Sequence, residues 1–490
     1  MRSVMEHTFS EVPRADIPRS TFNRSHGLKT SFDADYLVPI LVDDVIPGDT
    51  FNVNCTHFAR LGSPFIHPLM DNLYLDTFFF FVPYRLLWDN WEKFQGSREN
   101  PDDSIDYTIP KIDTSTPIDM TVGGNVRALY DYMGLPWKTS VDLSEFSVLP
   151  LRAYNLIWNE WFRDQNLQDS VANRRGDGPD NDGVADYTLL KRGKRHDYFT
   201  SCLPWPQKGD AVLLPIGGSA FVTHPTGTTA DGITIGVPSG NPRRIDASGA
   251  IATVSVTEDT DATHRLYVDL DTLQATVNDL RLAFQTQRLL ERDARSGTRY
   301  TESIQAHFGV TVPDFRLQRP EFLGGGSDRI NANAVPNTSD TATVEQGELA
   351  AYGTGSGSSG WTKSFVEHGV IIGLANVRGD ITYSQGAERY WFKDTRYDFY
   401  LPVLAQIGEQ AVFNKEIFYQ NTSADEEVFG YQERYAEYRY KPSRLTGLFR
   451  VDHASTLASW HLSEDFATLP ALGDTFIQSN TGTPLDRSIA

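Results

Sequence analysis

Between Phe51 and Pro83 the chain commits itself to β-structure. Phe51, Val53, Cys55, His57 and Ala59 alternate with mainly polar residues, the period of a half-buried strand. Leu73–Val82 follows and ends in four phenylalanines and a valine, apolar on both faces as in the middle of a sandwich. Pro83, with no N–H for a ladder, closes it. Short β-prone runs recur at Ile233–Val237, Ala252–Val256 and Phe365–Ser384. Helical patterns are few: Trp88–Phe94, Val126–Met133 and Pro150–Asn166, the last with Pro150 near its first turn and a face of Tyr154, Ile157, Trp158 and Trp161. A further helix carries Leu273, Val277, Leu280 and Phe284 as one stripe. Asp269, Asp271 and Thr272 stand at its start and Arg288, Arg292 and Arg295 at its end, signs that suit the macrodipole, and Gly297 fits a stop. Many short strands, long connections and few helices indicate a mainly β, antiparallel sandwich. Periodicity alone does not separate one kind of sandwich from another.

Punctuation divides the rest. Pro13, Pro18, Pro39 and Pro47 forbid a long helix, so residues 1–50 read as an extended arm and 51–490 as the folded domain. Residues 219–270 shift to Thr, Gly, Asp, Ser and Pro, a surface excursion of small hairpins. Residues 324–360 end in GTGSGSSG, which reads as a mobile loop. Phe476 and Ile477 are expected in a final strand.

The length, 490 residues, exceeds what one ordinary core organises. No apolar run is long enough to cross a bilayer, and the first residues lack a signal-peptide layout, so synthesis and assembly in a cytoplasm are expected, without membrane insertion. Two cysteines, Cys55 and Cys202, suggest free thiols. A formal charge of −20 excludes a general condenser of nucleic acid. If such a chain encloses a genome, the counter-charge comes from cations or a separate small basic protein.

Catalytic and metal motifs are wanting. There is no HExxH, Walker loop or GxSxG elbow, and no catalytic residue or cofactor is assigned. His57 and His67 read as structural. Asp177, Asp180, Asp182 and Asp186 cluster hard-oxygen donors, but an EF-hand would need acids where Gly178 and Leu189 stand. An irregular divalent-cation site stays open without a motif behind it. Two basic features carry more weight. Arg14, Arg19, Arg24, His26 and Lys29 interleave with Phe22 and Phe32 in the arm, a mixture able to engage single-stranded nucleic acid or a neighbour's carboxylates. Lys191, Arg192, Lys194 and Arg195 form the second candidate.

Longer stretches carry a family resemblance. LQATVNDLRLAFQTQRLLERDARSGTRYTESIQAHFGVTVPDFRLQRPEFLGGG, from Leu273 to Gly326, closely resembles a segment of microvirus major capsid proteins, especially the gokushovirus branch that infects bacteria. Arg19–Phe51, Phe58–Gly96 and LPWPQKG at Leu203–Gly209 are similar to that family in the same order. The resemblance implies an eight-stranded antiparallel viral jelly roll with large helical and loop insertions. It implies a T=1 icosahedral shell of 60 copies around a circular single-stranded DNA genome. An internal scaffolding protein and a small basic DNA-binding protein would assist in a bacterial cytoplasm. Arg288, Arg292, Arg295, Arg299 and Arg316 are the expected interface or carboxylate-pairing residues. The resemblance fails over 219–270, where the family carries a variable projection that touches the host surface. The competing class is a carbohydrate-binding or hydrolytic β-sandwich of a phage or cell surface.

Overall fold

The computed structural model describes residues 18–489 except 113–118, 122–124, 181–185, 214–221, 224–231, 238–239, 249–250, 259–266, 269–275 and 339–345. For 125–127 and the strands between 222 and 268 it describes the backbone alone. The chain is mainly β. Strands β1 (Val38–Val45), β2 (Thr50–Arg60), β3 (Leu73–Pro83), β4 (Glu321–Pro336), β5 (Leu349–Ser364) and β6 (Gly369–Gly379) form one antiparallel sheet in the order β1-β6-β3-β4-β5-β2. β4 changes partner along its length. Its first part, to Ile330, pairs with β3, and Asn331–Pro336 pairs with β5. The sheet therefore curls, carrying β5 and β2 over β3, β6 and β1.

Each face of the β1-β6-β3 portion has its own cover. On one, Val45, Phe79, Phe81 and Ile371 pack with Trp361 of β5 and Phe51 and Val53 of β2. On the other, Val38, Phe80, Val82, Ile372 and Leu374 meet Leu129 and Tyr130 of α1 (Asn125–Tyr132) and Tyr154 and Ile157 of α2 (Leu149–Ile157). Every residue of β6 is buried in consequence. Pro150 lies in the first turn of α2, where a missing N–H costs nothing, and a π turn at Trp158–Phe162 continues it. That turn sets Trp161 5.5 Å from Phe80 and Phe162 5.3 Å from Phe78, ring centroid to centroid.

Several polar anchors inside this core find close partners. The Tyr154 hydroxyl donates to the Leu37 carbonyl at 2.8 Å and accepts from the Leu190 N–H. Arg152 holds both carboxylate oxygens of Asp180, at 2.7 and 3.0 Å, and the Tyr187 hydroxyl donates to the same carboxylate. A smaller pair, β7 (Glu409–Phe413) and β8 (Val428–Glu433), packs with Tyr198, Phe199, Cys202 and Phe476. Within 219–270 the backbone of Gly232–Val237, Gly240–Ser248 and Ile251–Glu258 makes a three-stranded antiparallel sheet.

Three expectations are corrected. The described residues of 324–360 are no mobile loop: they lie largely in β4 and β5. The glycines there serve close approach. A side chain at Gly325 would run into the Thr77 carbonyl, and one at Gly360 would stand 2.7 Å from the Val53 carbonyl. Phe476 and Ile477 sit in a short helix, Asp474–Ile477, with both side chains buried. The 1–50 arm is shorter, because Val38–Val45 is a sheet strand. Among the described residues the curled sheet has six strands. Gly325→Ala is expected to destabilise the folded subunit by about 1–3 kcal/mol in denaturant unfolding. Gly62→Ala, with nothing within 4 Å of the added carbon, should stay within about 0.5 kcal/mol.

Candidate functional site

Helix α3 (Val277–Ser296) starts at Thr276, which makes a reciprocal cap with Asp279, and ends at Gly297, whose φ of +88° suits glycine. The Thr276 hydrogen bonds hold the Asp279 carboxyl below its usual range. Leu273, Asp269, Asp271 and Thr272 lie outside the described residues. Of the expected stripe, Val277, Leu280 and Phe284 lie on the helix but face solvent together with Leu282 and Leu289, and only Ala283 and Ala294 of the helix are buried. In α4 (Tyr300–Phe308) no residue is buried; Tyr300 and Phe308 are 74% and 78% exposed. The α3 end touches β7 through Arg295 and Glu409, and just before β7 the chain exposes Trp391 by 72% and Val403 by 88%, with Tyr397, Phe399 and Ile407. Single exposed apolar residues are ordinary; runs of this extent mark contact surfaces.

Of the expected interface arginines, Arg288, Arg292 and Arg316 are exposed. Arg295 pairs inside the subunit with Glu409 and Glu433. Arg299 donates to the Asn159 and Arg163 carbonyls and pairs with Glu302, pinning α4 to the π turn.

The arm from Pro18 to Ser31 is extended and exposed. It is tied by Arg19 to the Gly48 carbonyl, by Arg24 to Asp43 at 2.9 Å, and by the Tyr132 hydroxyl to the Ser31 carbonyl. Beneath it opens a hollow of about 2430 Å³, with Ile40, Val53, Phe79, Ile371 and Ala375 in its lining. Arg19, Arg24, His26, Lys29 and Lys191 all line it, so the structure joins the arm to the first residue of the second basic feature. Asp33, Asp35, Asp43, Asp49 and Asp486 line it too and offset that charge. Arg14 lies outside the described residues. The other three are engaged within the subunit: Arg192 with Asp76, Lys194 with Glu464 at 2.7 Å, and Arg195 with Asp380 at 3.3 Å.

The remaining candidates have structural partners. His57 lies 3.2 Å from Asp328, and His67 stacks on Trp460. Asp177 accepts from Trp88 and Asn90, Asp180 is the counter-ion of Arg152, Asp186 pairs with Arg174, and Asp182 is outside the described residues. Burial pushes both the Cys55 and Cys202 thiols up. Among the described residues no group of three or more His, Cys, Asp or Glu side chains is arranged to hold a metal ion, and no helix is long and apolar enough to cross a membrane.

A family model described as "Capsid protein (F protein)" matches residues 10–490. The chain belongs to this phage capsid family. It is 47% identical to capsid protein VP1 of Bdellovibrio phage phiMH2K, over 99% of this chain and 92% of that one. It is 42% identical to capsid protein VP1 of Chlamydia phage 1, over 100% and 93%, and 37% identical to capsid protein VP1 of Spiroplasma virus 4, over 99% and 92%. The resemblance to microvirus capsid proteins of the gokushovirus branch therefore stands, and the protein is structural and not an enzyme. A capsid protein works in a multi-copy shell and resides in the virion. The Trp391–Ile407 surface escaped the sequence reading because its residues sit in short turns without periodicity. Phe284→Ser and Val403→Ser should each change subunit stability by no more than about 0.5 kcal/mol while lowering the assembled fraction in sedimentation. Equal loss of folding and assembly would deny these residues an interface role.

Proposed function

We propose that this capsid protein forms a T=1 shell of 60 copies around the circular single-stranded DNA genome of a small bacteriophage. The observation that carries this reading is similarity over nearly the whole chain to three phage VP1 proteins, including the segments that hold the exposed apolar helices. The six strands are read as the larger part of an eight-stranded viral jelly roll. Contacts between unlike patches close into a shell when the rotation between copies closes, and each contact can be weak because closure multiplies them.

Arg14, Arg19, Arg24, His26, Lys29 and Lys191 are the residues proposed to face the genome. Exposed Phe22 in the same arm supplies a stacking surface. Lys194 fits that role poorly, since its charge is matched inside the subunit by Glu464. With a charge of −20, the shell relies on cations or a small basic DNA-binding protein for most of the neutralisation, and an internal scaffolding protein guides assembly in the host cytoplasm. Residues 219–270 form the outward projection that meets the host surface; the three-stranded backbone at 232–258 supports an element separate from the curled sheet.

Electron microscopy of purified full-length protein is expected to display closed particles of one size, holding DNA resistant to nuclease. Protein that stays monomeric with its helper proteins supplied would contradict the reading. Deleting residues 225–260 should leave particles intact and abolish attachment to host cells; failure to assemble would place the segment in the shell instead.

A further inference from the structure

Where the first half of β3 pairs with the end of β6, three guanidinium groups meet two carboxylates. Arg378 lies opposite Tyr74, and Asn376 opposite Asp76. The 191–195 loop brings Arg192 and Arg195 to the same place. Its backbone is fixed from both sides, by the Arg192 N–H on the Asp35 carbonyl at 2.9 Å and the Lys194 N–H on the Ile477 carbonyl at 2.8 Å. Arg192 and Arg378 share Asp76, which also accepts from the Ser327 hydroxyl. Arg195 lies over the Tyr74 ring, 4.1 Å from its centroid, and pairs with Asp380 at 3.3 Å.

The cluster holds one positive charge more than its acids match. Arg378 is more than nine-tenths buried, and its Nε has no hydrogen-bond acceptor among the described residues; the Nε of Arg195 has none either. A buried donor without an acceptor costs free energy, and among the described residues only Nη1 of Arg378 has a close acceptor, the Gly193 carbonyl at 3.0 Å. Desolvation, with Arg192 close by, brings Arg378 down to about 9, as crowded cations with too little counter-charge require.

We infer that Arg192, Arg195 and Arg378 form a site for one phosphodiester group of single-stranded nucleic acid. Guanidinium forks match phosphate oxygens in pairs. The site opens to solvent on the side of Arg195 and Asp380, whose side chains are 37% and 39% exposed, with exposed His196 beside them. That opening suits a passing strand better than an enclosed free ion. Asp380 occupies Arg195 until the phosphate arrives. The inference rests on the genome-enclosing reading above, yet adds Arg378, which no basic run in the sequence contains.

Binding of a labelled oligothymidylate to the unassembled full-length chain, followed by fluorescence anisotropy across a salt series, tests it. Arg195→Gln should weaken binding several-fold and reduce the slope of log affinity against log salt by about 0.7, the share of one single-strand phosphate. Asp380→Asn removes the competing carboxylate and should tighten binding. Unfolding curves establish that both variants are folded. Unchanged affinity and slope in both would overturn the site, as would inorganic phosphate that binds without displacing the oligonucleotide. Wild-type chain that binds no oligonucleotide also overturns it, whereas particles purified without any DNA overturn the reading beneath it.

Discussion

Burial of both faces of the β1-β6-β3 sheet is the constraint on which the subunit depends. Phe79 and Phe81 point toward β5 and β2, Phe80 and Val82 toward α2 and its π turn. Each such side chain contributes about 1.5–3 kcal/mol when removed from water, so neither cover can be stripped without exposing a row of aromatics. The curled β4–β5–β2 portion and the helical insertion are therefore two halves of one requirement. Their internal charges follow the same logic: Arg152–Asp180 and Lys194–Glu464 are buried pairs, and breaking one by removing a single partner leaves an uncompensated ion.

A subunit held together this way has apolar surface left over. Helix α3 buries almost none of its stripe, although a helix in a globular protein usually owes its stability to that face. The cap at Thr276, the stop at Gly297 and the Arg295–Glu409 pair place it, and within the subunit its apolar face stays uncovered. Rigidity and stickiness are thus divided between regions. The sheet and α2 fix the shape, while α3, α4 and the Trp391–Ile407 turns remain for contact.

Much of this was legible in the residues because the signal was local. Alternation marked β2, the phenylalanine run marked a strand covered twice, Pro150 and the aromatic face marked α2, and Gly297 marked the end of α3. What failed was non-local. GTGSGSSG has the composition of a linker, and only the neighbouring strands explain why β5 needs those glycines: the Asp328 side chain of β4 crowds Gly357 and the Val53 carbonyl of β2 crowds Gly360. Asp180 read as one acid of a surface loop, with a cation site left open, because its partner Arg152 stands in a helix, outside any motif. Arg192, Lys194 and Arg195 looked like a free basic run because Asp76, Glu464 and Asp380 come from remote segments. Val277, Leu280 and Phe284 were read correctly as helical, but whether the rest of the subunit covers them is not written in the period.

Hydroxyl-radical footprinting of the chain before and after assembly tests this division of labour most directly. Val277, Phe284, Phe308, Trp391 and Val403 should lose reactivity in the particle, while Phe80, Tyr154 and Ile372 stay protected in both states. Equal labelling of the first group in free and assembled protein would contradict the account, because the shell would then be held by other surfaces.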